Sequence, residues 1–156
     1  MNNHRTLLKI KKMNTRLNIQ KLEPKAYEAM YGLENFLANS ELEKIHLELI
    51  KIRASQINGC AFCINMHTKD AMKLGETDQR IFLLNAWRET TLFTKEERVI
   101  LAMTEEITHI SQHGLSEETY QKALSHFSEN YIAIIIIAIT TINAWNRIAI
   151  SSHMMV

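Results

Sequence analysis

The two cysteines of this chain form a C-x-x-C motif, Cys60 and Cys63, directly after an Asn58-Gly59 dipeptide. Asparagine and glycine both tolerate the left-handed conformation in which helices commonly end. Apolar residues recur at helical spacing before and after this point. The pattern therefore predicts two helices joined by a tight turn, with the cysteine pair at the N-terminus of the second helix.

Composition indicates that the rest of the chain is helical as well. The 156 residues suffice for one domain with a hydrophobic core, and 46% apolar with 22% charged residues is ordinary for a globular protein. Four glycines and one proline are too few for the many turns of an all-β protein. A net charge of +1 gives no indication of nucleic-acid binding. We therefore expect an all-α fold of about six or seven helices.

Helix-capping residues predict where these helices begin and end. Pro24 opens the first helix, and Asn39-Ser40 ends it. Ser40 and Glu43 have the spacing of a capping box for the second helix, whose two apolar stripes indicate burial on more than one side. Further helices are predicted from Cys60 to Leu74, Thr77 to Trp87, Thr94 to Gly114, Ser116 to His126 and Ser128 to Ser151.

The last predicted helix contains an isoleucine-rich run, Tyr131 to Ile139, that strand propensity alone would favour as a β-strand. The apolar pattern continues beyond the usual length of a strand, and no other segment provides a strand to pair with. The run is also too short to span a bilayer. We interpret it as a buried helix at the centre of the domain or at a subunit interface.

The N-terminal residues differ from the remainder of the chain. Residues 1–20 are polar and basic without an apolar stripe, which predicts a tail, and residues 21–156 are predicted to form one helical domain. No apolar segment of the kind found in secretory signals follows the basic residues. We therefore expect a cytoplasmic protein, in which a C-x-x-C pair serves redox or metal chemistry more often than it braces the fold.

The cysteine pair is suited to thiol–disulfide exchange, in which one thiolate attacks and the other resolves the product. Helix N-termini lower thiol pKa values, so this argument alone favours Cys60, the cysteine nearer the helix start, as the attacker. His67 lies four residues after Cys63 and shares its helix face. Its imidazole can accept the thiol proton directly or through a water molecule.

Glu48 lies among apolar residues of the preceding helix, where a carboxylate needs a partner. If the two helices pack as an antiparallel hairpin, Glu48 is level with the first turns of the next helix and can act as a second proton acceptor, for Cys60. Three alternatives stay open. The pair can act as a disulfide reductase or isomerase without peroxide chemistry, the four residues Glu48, Cys60, Cys63 and His67 can bind zinc, or the thiols are incidental to a redox-sensing or structural oligomer.

The combined pattern resembles the AhpD-like group of the carboxymuconolactone decarboxylase superfamily. The signature of that group is a glutamate, about a dozen residues, C-x-x-C, three residues and a histidine, which here corresponds to Glu48, Cys60, Cys63 and His67. The resemblance extends from about Leu17 to Ile150. Flanking segments similar to the stand-alone members are Arg53-x-Ser55-x-x-Asn58-Gly59, Met66 to Ala71, Ala86 to Thr90 and Asn143 to Arg147.

This resemblance implies an AhpD-like all-α fold, a homo-oligomer (trimer or hexamer), and reduction of hydroperoxides without metal, flavin or haem. It implies that Cys63 attacks the peroxide, Cys60 resolves it to a disulfide, and His67 and Glu48 move the protons. The implied partners are a hydroperoxide substrate and an external dithiol reductant, with no nucleic acid or membrane. Phe62 stands where the best-studied branch has a second histidine, so the identity of the reductant stays open.

The type and position of three further groups of residues predict structural roles or contacts for them. Trp87 and Trp145 are expected to be core or interface aromatics. Met66, beside His67, either lines an apolar peroxide pocket or fills the core. Polar residues on the otherwise apolar last helix need partners, which predicts a structural network or subunit contact for Asn143, Asn146 and Arg147.

Overall fold

The computed structural model describes residues 14–156, and all regular secondary structure in that range is helical. The α-helices are α1 (Ile19–Leu22), α2 (Pro24–Asn39), α3 (Lys44–Asn58), α4 (Ala61–Lys73), α5 (Asp78–Leu83), α6 (Lys95–Thr108), α7 (Glu117–Leu124) and α8 (Glu129–Ser152), with a 3-10 helix (Leu84–Glu89) after α5. The predicted all-α class is confirmed. The described residues hold more helices than expected, because α1 precedes the first predicted helix and the segment from Thr77 to Trp87 divides in two.

Side-chain caps fix several helix starts as predicted. Thr94 and Glu97 form a complete capping box at the start of α6, each side chain bonding the other residue's backbone N–H. The predicted capping box at Ser40 is wrong, since α3 begins only at Lys44. The Ser40 hydroxyl instead donates to the carbonyl of Leu37 at 2.8 Å and so closes the end of α2.

Residues of the predicted tail divide into two parts. Residues 1–13 lie outside the described range. From residue 14 onward the chain is fixed against the end of α8, because the Arg16 N–H donates to the Ser152 carbonyl at 2.9 Å. The Arg16 guanidinium also donates to the carbonyl of Ser151, and the Asn18 side chain caps α1. The end of α8 thus anchors the segment that leads into α1.

The long helix α8 is the centre of the domain and packs against α2, α3, α4, α6 and α7. Ile135, Ile139 and Ile142 are fully buried on it. The prediction of a buried helix rather than a strand is confirmed. Among residues 14–156, α8 is also the one helix whose length and composition would suffice to cross a membrane, and half of the stretch that meets this test is buried inside the protein, as in a core helix.

The helix α3 lies between α4, α6 and α8, which explains its two apolar stripes. Gly59, with a φ of +71°, ends α3 in the left-handed conformation, and Cys60 then begins α4 as its N-cap. The predicted tight turn and the start of the second helix are therefore confirmed. Buried side chains occur all round α3, including those of His46, Leu47, Glu48, Leu49, Ile50, Lys51, Ile52, Ala54 and Ser55.

Alanine substitution of two glycines is expected to have opposite effects on stability. Gly59→Ala should lower the free energy of unfolding by about 1–2 kcal/mol, because an L-residue is strained at this positive φ although no atom lies within 4 Å of the added Cβ. Gly32→Ala, inside α2 with equally open surroundings, should raise it by about 0.5–1 kcal/mol. Urea unfolding of both variants tests this, and equal changes would contradict the left-handed turn.

Candidate active site

The two cysteines are joined as a disulfide at the N-terminus of α4, with their Cα atoms 5.4 Å apart. Cys60 is the N-cap residue, and its sulfur accepts the backbone N–H of Cys63 at 3.4 Å. Both residues are almost completely buried, with 1% and 3% of their surface exposed. The helix terminus therefore provides a hydrogen bond that would stabilise a thiolate on Cys60 when the disulfide is reduced.

Glu48 and His67 form a buried pair across the hairpin of α3 and α4. The Oε2 atom of Glu48 lies 2.9 Å from Nδ1 of His67, and their residues are 9% and 5% exposed. An ionised carboxylate only accepts hydrogen bonds, so Nδ1 carries the proton and Nε2 is left as the basic nitrogen. The predicted hairpin register is confirmed, and the hydrogen-bond partner of Glu48 on α4 is His67. Its role as a proton acceptor for Cys60 stays a prediction.

A cavity of about 460 Å³ adjoins this pair and the disulfide. Cys63, His67 and Glu48 all line it, whereas Cys60 does not belong to the described cavity wall. The residues predicted from the sequence are thus brought together, but of the two cysteines Cys63 alone is a lining residue of this cavity. The remaining lining residues are Gln20, Tyr27, Tyr31, Glu34, Lys51, Phe62, Met66, Asp70, Trp145, Ala149 and Met154.

Three aromatic side chains form one wall of the cavity. The Tyr27 ring meets the Trp145 ring edge-on at a centroid distance of 4.9 Å, and Tyr31 lies 5.4 Å and 5.6 Å from the two rings. Burial, with a smaller contribution from the charge of Tyr31, raises the pKa of Tyr27, so this hydroxyl is neutral at physiological pH. Trp145 therefore lines the cavity and also packs against the hydrophobic core, as expected from the sequence.

Trp87 behaves as predicted for a core aromatic. Its ring is buried in a separate hydrophobic cluster, and its indole N–H donates to Glu105 at 2.9 Å. The guanidinium groups of Arg88 and Arg98 lie over the ring at 4.1 Å and 5.1 Å from its centroid. Burial opposes ionisation of Glu105, but its hydrogen bonds from Arg88, Trp87 and Arg53 outweigh it and lower the pKa. This cluster lies away from the cavity and holds α6 to the chain before it.

Charged side chains occur on the polar part of the cavity wall. The buried Lys51 ammonium donates to the Glu34 carboxylate at 2.7 Å. Asp70 lies on the same face of α4 as His67, and the ligand atoms of Glu48, His67 and Asp70 lie within 4.8 Å of one another. These three residues can hold a cation by geometry. The zinc set proposed from sequence differs, because it needs two thiolates, and the disulfide provides none.

A network of side-chain amides holds the turn before the cysteines onto α8. The Asn58 amide donates to Asn146 at 2.8 Å and to Asn143 at 3.0 Å, and the Asn146 amide donates to the Ser55 hydroxyl at 2.9 Å. Arg147 donates to the carbonyl and the side chain of Asn143. The predicted structural network is confirmed, and it fixes the start of α4 relative to the central helix.

Removing one member of this network should destabilise the domain. Asn146 is fully buried, so Asn146→Ala leaves the Ser55 hydroxyl without its partner and Asn58 with one fewer acceptor. We expect a loss of about 2–3 kcal/mol in the free energy of unfolding, measured by urea denaturation. The exposed Asn39→Ala serves as control and should change it by less than about 0.5 kcal/mol. Similar losses for both variants would contradict the role of the network.

Comparison with known proteins decides the family. Residues 24–106, which include α2 to α5 and most of α6, match the carboxymuconolactone decarboxylase family. The chain belongs to that family. Within it the chain is an AhpD-like member, as the sequence signature predicted.

Two relatives are similar to the chain over about nine-tenths of its length. The uncharacterized protein YdfG of Bacillus subtilis is 40% identical over 139 residues, which is 89% of this chain and 95% of that protein. The crystal structure of ATU0492 from Agrobacterium tumefaciens, a protein of unknown function described as a candidate antioxidant defence protein AhpD, has a TM-score of 0.88 at 40% identity and covers 91% of this chain and 97% of its own.

A shorter match connects the chain to a protein with a named activity. The alkyl hydroperoxide reductase AhpD of Rhodospirillum centenum is 36% identical over 47 residues, 30% of this chain and 25% of that protein. The two relatives that match nearly the whole chain therefore have no established activity, and the relative with a named activity matches less than a third of it.

Proposed function

We propose that this AhpD-like protein is a thiol-dependent reductase of alkyl hydroperoxides that serves antioxidant defence. The observation that carries the proposal is that a C-x-x-C disulfide and a carboxylate-oriented imidazole border the same largely apolar cavity. A hydroperoxide needs a thiolate to attack it, a proton for the departing alkoxide and an apolar space for its organic group. Cys63, His67 and the cavity wall supply these three requirements.

In the proposed first step, the Cys63 thiolate attacks the terminal oxygen of the hydroperoxide. The O–O bond breaks as the S–O bond forms, and the alkoxide leaves with the electron pair of the O–O bond. His67 accepts the Cys63 thiol proton on Nε2 and returns it to the alkoxide, which departs as the alcohol. Glu48 holds the ring in the required tautomer and stabilises the imidazolium that forms, in the manner of the carboxylate in a catalytic triad.

In the proposed second step, the Cys60 thiolate attacks the sulfur of the Cys63 sulfenic acid. The S–O bond breaks, hydroxide takes the proton lost from Cys60 and leaves as water, and the disulfide forms. An external dithiol then reduces the disulfide, donating two electrons and two protons. The Cys63 N–H bound to the Cys60 sulfur favours Cys60 as the leaving thiolate in that exchange.

Access supports this division of roles between the cysteines. Position at the helix terminus favours Cys60 as attacker, but Cys63 is the cysteine that lines the cavity. A peroxide entering through the cavity meets Cys63 first. We therefore assign the attack to Cys63 and the resolving role to Cys60, as the family resemblance also implies.

The decisive experiment measures hydroperoxide consumption by purified protein with dithiothreitol as reductant. We expect catalytic loss of tert-butyl hydroperoxide with dithiol present, and consumption of about one equivalent when the pre-reduced protein has no reductant. A protein that is inert toward several hydroperoxides, although its cysteine pair still cycles between dithiol and disulfide, would contradict the proposal. Thiol–disulfide exchange or redox sensing would then be the better account.

We further propose a homo-oligomer, a trimer or hexamer. Support comes from large apolar side chains that are exposed on the single chain, among them Phe82, Leu22 and Ile110 at 76%, 65% and 59% exposure. Light scattering after size exclusion should give three or six times the chain mass of 18.1 kDa. A species of 18.1 kDa alone would contradict this expectation.

We also propose that the protein acts in the cytoplasm. Each turnover of the cycle requires the disulfide to return to the dithiol, and a reducing compartment favours that return.

A further inference from the structure

We propose that the cavity selects uncharged aromatic hydroperoxides and discriminates against those that carry a carboxylate. This inference concerns the substrate class of the same site and rests on the peroxidase function proposed above. Three properties of the cavity lead to it, namely its aromatic wall, its size and the charges on its polar part.

The aromatic wall favours an aryl substituent on the substrate. Tyr27, Tyr31 and Trp145 form a continuous group of rings with centroid distances of 4.9–5.6 Å. Phe62 adds a fourth ring from α4, directly before the attacking Cys63. Aromatic groups prefer the edge-to-face and offset arrangements that such a wall provides, so an aryl ring gains contacts that a small alkyl group cannot make.

The size of the cavity points to a substrate much larger than hydrogen peroxide. A water molecule occupies roughly 30 Å³ of the liquid, and the cavity measures about 460 Å³. Hydrogen peroxide would therefore leave most of the aromatic wall in contact with water. An arylalkyl hydroperoxide displaces that water and buries its apolar surface, which strengthens its binding.

The charges on the cavity wall disfavour an anionic substrate. Three carboxylates line the cavity, from Glu34, Glu48 and Asp70, and Lys51 supplies the one ammonium among the described lining residues. The Asp70 carboxylate is also bound to Lys73 at 2.7 Å, but that lysine is exposed to solvent and is not a lining residue. Lys51 is 5% exposed as a residue, and its ammonium is already bound to Glu34 at 2.7 Å, so it is not free to receive a substrate carboxylate. An entering carboxylate therefore meets three carboxylates and a lysine that is already paired, and repulsion is strong where water is excluded.

A matched pair of substrates tests the charge selectivity. Cumene hydroperoxide carrying a para-carboxylate is compared with its methyl ester, using dithiothreitol as reductant and kcat/KM as the readout. We expect the ester to be used at least about tenfold better than the acid. Equal values, or a preference for the acid, would overturn the inference.

Two variants connect this selectivity to named residues. Glu34→Gln frees the Lys51 ammonium, and the kcat/KM of the acid should rise several-fold relative to that of the ester. Tyr31→Ala should reduce the preference for cumene hydroperoxide over tert-butyl hydroperoxide, whereas Phe36→Ala, an exposed aromatic of the same helix outside the cavity, should not. An unchanged acid-to-ester ratio in Glu34→Gln would overturn the assignment of charge selectivity to this pair.

A binding measurement separates this inference from the peroxidase proposal. The disulfide form is titrated calorimetrically with 2-phenyl-2-propanol, the alcohol product of cumene hydroperoxide, and with its para-carboxylate analogue. Binding of the neutral alcohol at least about tenfold tighter than the carboxylate supports the selectivity even if no peroxide is consumed, in which case only the peroxidase proposal fails. Equal binding of the two alcohols, or binding of neither, would overturn the selectivity itself.

Discussion

Replacement of Cys63 by serine is expected to reduce hydroperoxide turnover at least about a thousandfold, because a hydroxyl cannot replace a thiolate as the attacking group. The measurement is kcat/KM for tert-butyl hydroperoxide with dithiothreitol. Folding should be unaffected, since the disulfide between Cys60 and Cys63 closes a very short loop and so contributes little to stability. Thermal unfolding of the variant followed by circular dichroism verifies this point.

The matched control for this prediction is Cys60→Ser. It retains the cysteine that lines the cavity, so one peroxide molecule per chain should still react and leave a sulfenic acid on Cys63. Mass spectrometry after trapping with dimedone detects that product. A sulfenic acid found on Cys60 in the Cys63→Ser protein, and none in Cys60→Ser, would reverse the assigned roles.

Disruption of the buried pair of Glu48 and His67 should have the second largest effect. Both Glu48→Gln and His67→Gln are expected to lower kcat/KM about 10²- to 10⁴-fold, the usual contribution of a positioned acid–base group. The double variant should be little worse than either single one, because the two side chains act as a unit. Independent, additive losses would contradict a shared role in proton transfer.

The control for this pair is a glutamate of the same segment that does not reach the cavity. Glu43, the N-cap residue of α3, has a side chain that is 67% exposed. Glu43→Gln should change kcat/KM less than about twofold. A loss equal to that of Glu48→Gln would indicate a general effect of charge and not the contact with His67.

Those parts of the fold that depend on local chemistry could be predicted from the sequence. The start of α4 after Gly59 and the capping box of Thr94 and Glu97 involve residues only a few positions apart. Ser40 shows the limit of such reasoning. Its hydroxyl can either cap the start of α3 or bond a carbonyl at the end of α2, and the sequence does not indicate which of the two occurs.

Less of the site could be predicted, because its parts come from distant segments. The register of Glu48 against α4 followed from the hairpin, but its hydrogen bond to His67 depends on side-chain rotamers. The i, i+4 spacing of Tyr27 and Tyr31 signals a shared helix face without saying what that face meets. Only the position of α8 brings Trp145 against these rings and creates the aromatic wall.

The central position of α8 has a consequence for how the protein is made. Ribosomes synthesise a chain from its N-terminus, and α8 follows every other helix to which it packs. Until α8 leaves the ribosome, the apolar faces of α3 and α6 lack their partner and stay exposed. The isoleucine run Tyr131–Ile139, which has high strand propensity, must then pack against these faces before it aggregates. The core is therefore completed only after α8 has been synthesised. We expect rapid expression at high temperature to favour aggregation of the nascent chain, and slower expression at low temperature to increase the yield of soluble protein.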